Sequence, residues 1–447
     1  MALQTPPLPL VQVLQRRRDR LAQLHPRPVV LWSGQPVARN FRANTYPFRA
    51  NSHFLYFTGL TLPRVAIRLD QGQLTLFMDD ASPESALWHG PTPTRAAIAA
   101  EIGAIAAYPY QAVEGYLAEA ATLPGQGGHN PDLGPALSPA LVEALVALRL
   151  YHDDQALGQI KVAAAVSIAA HRAGMAATPG ATTEAQVRAA MEQVIIAQGM
   201  TCAYNSIVTV HGEVLHNEQY HHALAPSDLL LADVGAEAPS GWASDITRTW
   251  PVSGRFTPAQ RDLYDVVLAA HDACIVAAKP GVEYRDLHLL ACRTLAAGLV
   301  DLGLLRGHPE DLVERDIHAL FFPHGVGHLL GLDVHDMEDL GDAAGYAPGR
   351  HRSDRFGLKF LRLDRPLADT MVVTIEPGFY QVPAILGPAR QSGQYEETVN
   401  WARLADFHGV RGIRIENDVQ ITPTGCTVLT AALPTQAEAL EALVSAA

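Results

Sequence analysis

Cysteine is scarce in this 447-residue chain: Cys202, Cys274, Cys292 and Cys426 are its four copies. None stands at CxxC spacing, which excludes a zinc knuckle and a dithiol redox motif and suits a reducing compartment. Positive charge is also in deficit, with 33 Lys and Arg against 46 Asp and Glu and a net charge of -13. That balance argues against nucleic acid as a partner, because phosphate binding needs clustered Lys and Arg to displace counterions. The one dense basic run, "RRRDR" at 16–20, reads as a solvated helix face. Long apolar runs are missing too, and no window approaches the roughly 20 apolar residues of a membrane span. The opening "MALQTPPLPLVQVLQRRRDR" puts its charges after a short, proline-interrupted apolar stretch, the reverse of a secretory signal. The expectation is a cytoplasmic protein with no nucleic-acid and no membrane partner.

The composition that remains, 48% hydrophobic and 18% charged with 35 Gly and 31 Pro, suits a compact, turn-rich chain long enough for two or three domains. Residues 8–24 have helical periodicity. After "HPRP" come short β-branched and aromatic runs that read as strands: "VVLWSG" (29–34), "HFLYFTGL" (53–60), "RVAIRLD" (64–70) and "QLTLFMDD" (73–80). The stretch 121–139 is dense in Gly and Pro and reads as loop. Beyond it, "LVEALVALRL" and "DQALGQIKVAAAVSIAAHRAGMAA" are helical, followed by Ala/Leu-rich helices at 184–198, 258–278 and 284–304 alternating with strands such as "DLLLADVG", "MVVTIEP" and "IRIENDVQIT". The fold class is α/β (α+β), with an N-terminal α/β domain over 1–152 and a second domain over 153–447.

Chemistry concentrates in the second domain. "HGVGHLLGLDVHD" (324–336) holds three histidines and two aspartates. The four-residue spacing of His324 and His328 resembles a zinc-protease helix, but no glutamate follows the first histidine. Gly325 and Gly327 each cost a helix about 1 kcal/mol, so an extended or irregular backbone is expected. Four acids close or adjoin apolar runs: Asp233 in "LLLADVGAE", Asp245 in "WASDITRTW", Glu376 in "VVTIEPGFY" and Glu416 in "GIRIENDVQI". Singly, each is an ordinary turn residue. Brought together they would repel, and several would have to become neutral unless cations balanced them. Two divalent ions roughly 3.5 to 4 Å apart would do so, bridging and deprotonating a water and clamping the oxyanion it forms at a carbonyl. Carboxylates with one imidazole suit Mn²⁺ better than a thiolate-seeking metal, with Co²⁺ or Zn²⁺ as alternatives.

Together, "DVGAEAPSGWASDITRTWPVSGRFTPAQRDLYDVV", "HGVGHLLGLDVHD", "TIEPGFY" and "GIRIENDVQIT" resemble the metallopeptidases of the pita-bread fold, in their aminopeptidase P and prolidase branch. "RANTYPFRANSHFLYFTGL" is similar to the creatinase-like first domain of aminopeptidase P. The resemblance implies a creatinase-like N-terminal domain before a pita-bread catalytic domain, and Asp233, Asp245, His328, Glu376 and Glu416 as ligands of two ions. Asp245 and Glu416 would bridge both, Asp233 would complete one, and His328 with Glu376 the other. It implies further that Glu376 accepts the proton of the bridging water, that His216 contacts substrate and oxyanion, and that His335 lies near the scissile amide. Arg414 would touch the proline side, and His324 and Tyr380 would line the proline pocket. Glycines of the 324–336 segment would let the peptide approach the backbone. One departure concerns Asp233 and Asp245, twelve apart where the family pattern has eleven; the extra residue is expected in the "EAPSGW" turn.

The implied activity is cleavage of the Xaa-Pro bond at peptide N-termini by a homo-oligomer, a dimer or tetramer. Peptides with proline in second position would be its substrates. The first domain and Trp88 in "LWHGP" favour the aminopeptidase. The alternative is an Xaa-Pro dipeptidase (prolidase), because the stretches 341–370 and 381–410 resemble insertions of larger prolidases and Arg362 could clamp a free carboxylate. A metal-free pita-bread binding module is the distant third reading.

Overall fold

The computed structural model describes residues 9–123 and 138–445, so the loop expected at 121–139 falls, over 124–137, outside the described residues. The chain divides into two compact units, Met1–Gln155 with Pro239–Gly241 and Ala156–Ala238 with Trp242–Ala447.

In the first unit, strands β1 (Val29–Trp32), β2 (Ala66–Asp70), β3 (Gln73–Phe77) and β4 (Ala106–Tyr108) lie in that order, with only the β3–β4 pair parallel. Val30, Trp32, Ala66 and Phe77 pack with Val113 and Ala120 into an apolar core. Helices α1 (Leu10–Leu24), α2 (Ser52–Thr58), α3 (Pro83–His89), α4 (Arg95–Ile102) and α5 (Pro139–Arg149) complete the unit.

Two expectations fail here. "HFLYFTGL" is helix α2, not a strand: Asn51 caps its start by accepting from the His53 and Phe54 amides, and Gly59 ends it at φ 65°. Every residue of the helix is buried, so no polar face betrays its period, and a short apolar run reads alike as strand or helix. Nor is "RRRDR" a solvated face throughout, although Arg16, Asp19 and Arg20 are exposed. Arg17 and Arg18 are buried beside Leu14 and Leu21 on the inner side of α1, Arg17 donating to Asp153 and the Tyr56 carbonyl and Arg18 to the Ile102 carbonyl. A guanidinium tolerates burial when its fork finds such acceptors.

The second unit opens with α6 (Asp154–Ala177) and α7 (Glu184–Ala197). A three-stranded antiparallel sheet has β7 (Leu229–Asp233) between β6 (Ile207–Thr209) and β9 (Thr247–Pro251), while the short β5 (Thr201–Cys202) and β8 (Ala236–Glu237) pair separately. Helices α8 (Pro258–Ala277), begun by a Thr257/Gln260 capping box, and α9 (Tyr284–Asp301) pack on each other. Strands β10 (Val372–Ile375), β13 (Asn417–Thr422) and β14 (Gly425–Val428) form a further sheet, and β11 (Gly378–Tyr380) pairs β12 (Gly412–Arg414). No helix among the described residues is long and apolar enough to cross a membrane.

Candidate metal and active site

The four acids meet because the strands that carry them change direction together. Ile375 pairs Asn417 and Gly378 pairs Arg414, so the break shared by both chains sets Glu376 opposite Glu416. Asp233 ends β7 opposite Thr247, and Asp245 stands two residues before Thr247 on the returning chain. Between them the Ala238 amide donates to the Trp242 carbonyl at 2.9 Å and Val234 to Ile246 at 3.0 Å. The twelve-residue spacing thus leaves the hairpin register intact. His328 enters from a segment without helix or strand that runs antiparallel beside β10, exchanging backbone hydrogen bonds through Thr374 and Glu376.

Within this pocket His328 Nε2 lies 3.4 Å from Asp245 and 3.6 Å from Glu376. Ligand atoms of Asp245, His328 and Glu416 all fall within 4.8 Å of one another. The electrostatics of such a cluster are severe. Burial and Asp233 push Asp245 well above the usual carboxylate range; burial and Glu416 do the same to Glu376, as do burial and Asp245 to Glu416. Burial also drives His328 well below the ordinary imidazole value, the neutral form a metal ligand requires. Arg414 offers one compensating charge: its guanidinium donates to Asp233 at 2.6 Å, Thr247 Oγ1 at 3.0 Å and Tyr380 at 3.0 Å. Glu416 Oε2 accepts from Thr247 at 2.6 Å, yet its Oε1 is buried with no partner. An orphaned carboxylate oxygen among three more carboxylates fits a cation-binding set, because no donor reaches it and the single Arg414 charge does not balance four acids.

The site opens on a cavity of about 490 Å³, whose wall includes His216, His324, His335, Arg362, Phe356 and Phe360. A profile described as metallopeptidase family M24 matches residues 158–423, more than half of the chain. The chain belongs to metallopeptidase family M24. A second profile, the aminopeptidase P N-terminal domain, matches residues 14–126 and places the family member in the aminopeptidase P branch of the pita-bread fold. A probable Xaa-Pro aminopeptidase of Talaromyces marneffei is 31% identical over 89% of this chain and 88% of its own. One from Botryotinia fuckeliana is 33% identical over 86% and 85%. Among solved structures, Pseudomonas aeruginosa aminopeptidase PepP is 29% identical with a TM-score of 0.82 over 99% of both chains. Aminopeptidase P from Escherichia coli with the inhibitor Pro-Leu is 27% identical with a TM-score of 0.82 over 98% of both.

In this M24 chain all five expected ligands border the cavity, as do His216, His324, His335, Arg362 and Arg414. Tyr380 does not. It is fully buried, with its hydroxyl bonded to His324 Nε2 at 2.8 Å and to Arg414, so it backs the pocket wall instead of lining it. Arg414 is likewise turned inward, spent on Asp233, Thr247 and Tyr380 before any substrate. The glycine reading also changes: a Cβ on Gly325 would meet the Leu361 backbone at 3.0 Å, and one on Gly327 would meet Thr374 O and Tyr284 OH at 2.3 Å. These glycines admit the protein's own backbone.

Four residues the motifs did not single out organise the site. The Tyr204 hydroxyl lies 2.6 Å from Asp233 Oδ1 and 2.5 Å from Asp245 Oδ1; having one proton, it can serve both only if Asp245 holds another. Asp418, pushed up to about 7 by burial, accepts from Ser244 and from the Asp245 amide, and Thr247 holds Glu416. Glu338 accepts from His335 Nδ1 at 2.7 Å and from Arg362, and is held at about 2 chiefly by the His335 hydrogen bond. Only "ENDVQI" hinted at one of them, by placing a second acid two residues after Glu416.

Proposed function

We propose that this M24 chain removes the first residue from peptides with proline in second position, with Asp233, Asp245, His328, Glu376 and Glu416 holding two divalent cations. The observation that carries the reading is the buried carboxylate cluster with the unpartnered Glu416 Oε1, on a chain whose relatives are named Xaa-Pro aminopeptidases. Bound there, the two cations would cancel the carboxylate charge and lend Lewis acidity to a water and a scissile carbonyl. The oxygen-rich donor set favours Mn²⁺, with Co²⁺ or Zn²⁺ as substitutes; the E. coli aminopeptidase P has been obtained Zn-substituted with product.

The chain's own residues divide the remaining work. Glu376, whose carboxyl holds a proton readily because of burial and Glu416, is the proton acceptor from the attacking water. His335 is oriented by Glu338 through Nδ1, which leaves Nε2 for the scissile peptide. His216, partly buried in the cavity rim and lowered below the ordinary imidazole value by burial and Arg414, contacts substrate as a neutral ring. His324, locked between the Gly325 carbonyl and Tyr380, presents its ring to the proline. Arg414 holds Asp233 and the Tyr380–His324 wall in place. We further propose a cytoplasmic protein, from its few and unpaired cysteines, and a homo-oligomer, following the family resemblance.

The dipeptidase reading has one observation in its favour: Arg362 lines the cavity. Its guanidinium is paired with Glu338, so that site offers a carboxylate a charge already shared. An assay of Xaa-Pro dipeptides against Xaa-Pro-Yaa tripeptides under Mn²⁺ separates the two. Tripeptide cleavage is expected; turnover of dipeptides alone overturns the aminopeptidase reading, and a protein that takes up no divalent metal overturns both.

A further inference from the structure

A second group of metal-competent side chains lies in the same unit and is not used by the chemistry above. His288 and Cys292 stand four apart on α9, so both project from one helical face. His318 comes from the turn Ile317–Leu320. One ligand atom from each lies within 4.8 Å of the others, and all three side chains are buried, at 0%, 0% and 2% exposure. Cys292 Sγ is 3.5 Å from His288 Nε2 and 4.0 Å from Nδ1. His288 Nε2 donates to the Gly357 carbonyl at 2.8 Å, which leaves the lone pair on Nδ1. Metal-bound histidines are commonly oriented this way, by an outer carbonyl that fixes the tautomer.

The independent sign of a missing ligand is His318. Neither of its buried ring nitrogens makes a well-formed hydrogen bond, the Gly357 backbone being the polar group that approaches the ring. A neutral imidazole carries one N–H and one lone pair, and a buried polar group left unpaired costs about 1–3 kcal/mol. A Cβ at Gly357 would stand 2.8 Å from His318 Nε2 and 2.5 Å from Asp316 Oδ1, so glycine keeps the space beside that ring clear.

We propose that His288, Cys292 and His318 form a separate metal site that binds one Zn²⁺ through a thiolate and two imidazoles. One sulfur and two nitrogens suit zinc and not the Mn²⁺ favoured by the carboxylate cluster, so the two sites select different ions. Burial keeps both imidazoles neutral, with His318 at about 3 and His288 at about 4, as ligation requires. Burial also raises the Cys292 thiol; on binding, its S–H bond breaks, the proton leaves to solvent and an S–Zn bond forms, so uptake strengthens with pH. The bound ion clips α9 to the segment that leads into the catalytic pocket. Phe322 packs between the two regions, its ring 5.6 Å from His288 and 4.8 Å from His324.

The site does not depend on the proposed peptidase chemistry, and cobalt tests it directly. Metal-stripped full-length protein is titrated with Co²⁺ while absorbance is followed in the near ultraviolet, where only a thiolate ligand produces a strong charge-transfer band. The carboxylate cluster has no thiolate and cannot supply that band. The expected result, whichever site fills first, is a band whose full amplitude corresponds to one thiolate-bound Co²⁺ per chain, in the wild type and in a Cys202→Ser/Cys426→Ser double variant. The band and that equivalent should be lost in Cys292→Ser and His318→Ala, and Zn²⁺ should raise the wild-type Tm. No band in the wild type at saturating Co²⁺ overturns the proposal, as does a band that persists in Cys292→Ser. Should either variant fail to fold, the spectra of the wild type and of Cys202→Ser/Cys426→Ser still decide, because a band lost in the double variant means adventitious binding at the half-buried thiols.

Discussion

Tyr204 does for Asp233 and Asp245 what neither strand could do for itself: one hydroxyl bridges two carboxyl groups at hydrogen-bond distance. Residues that orient metal ligands typically matter 10–100-fold. Tyr204→Phe is therefore expected to weaken divalent-metal affinity by about that factor, read by calorimetric titration, while thermal stability changes little. Unchanged affinity would show the hydroxyl to be passive. Glu376→Gln should lower kcat by roughly 10²–10⁴-fold, the range of a lost proton-transfer group, with the far-UV spectrum preserved; near wild-type turnover would remove Glu376 from the proton-acceptor role. Tyr204, Thr247 and Glu338 are invisible as site residues in the sequence because a lone tyrosine, threonine or glutamate carries no spacing signature. Their role comes only from what they touch, and Tyr204 touches carboxylates 29 and 41 positions away.

The elements that matter most are the irregular ones. The 324–336 segment is held open beside β10 because Gly327, at φ 153°, lets Thr374 O and Tyr284 OH come closer than a side chain would permit. Gly327→Ala should cost more than about 2 kcal/mol through forced displacement of a buried backbone and so lower Tm clearly. Gly158→Ala, inside helix α6 with nothing within 4 Å, should leave Tm level or slightly raised. Equal effects at both positions would refute the packing argument. Strand-end acids and an unhelical histidine segment were legible from the pattern, as apolar runs closed by Asp or Glu and glycines interrupting a helix. Helix α2 was not: its cap, Asn51, and its stop, Gly59, are also ordinary strand punctuation, and uniform burial erased the periodicity.

At the scale of the whole molecule, buried histidines link stability to pH. His171, in α6, is fully buried with Nε2 on the Val234 carbonyl, and burial holds it at about 4 against an ordinary 6.5. Between those values the unfolded chain binds a proton that the folded one refuses. Stability is thus full above about pH 6.5, falls as pH drops toward 4, and levels off below it, by up to about 3 kcal/mol for this group. On chelated protein, the fall in Tm from pH 7 to pH 5 should be smaller in His171→Gln than in the wild type; an equal fall would assign the linkage elsewhere. Sequence alone was enough for the family and the order of its motifs, and through that resemblance for nominating five ligands, because a motif is residue type and spacing along the chain. Tertiary structure alone decided that Arg17 and Arg18 are core residues, that Tyr380 stands behind the pocket, and that His288, Cys292 and His318 meet. Each of these turns on which atoms share a low-dielectric interior, and contacts between residues from different elements leave no periodic trace in the order of amino acids.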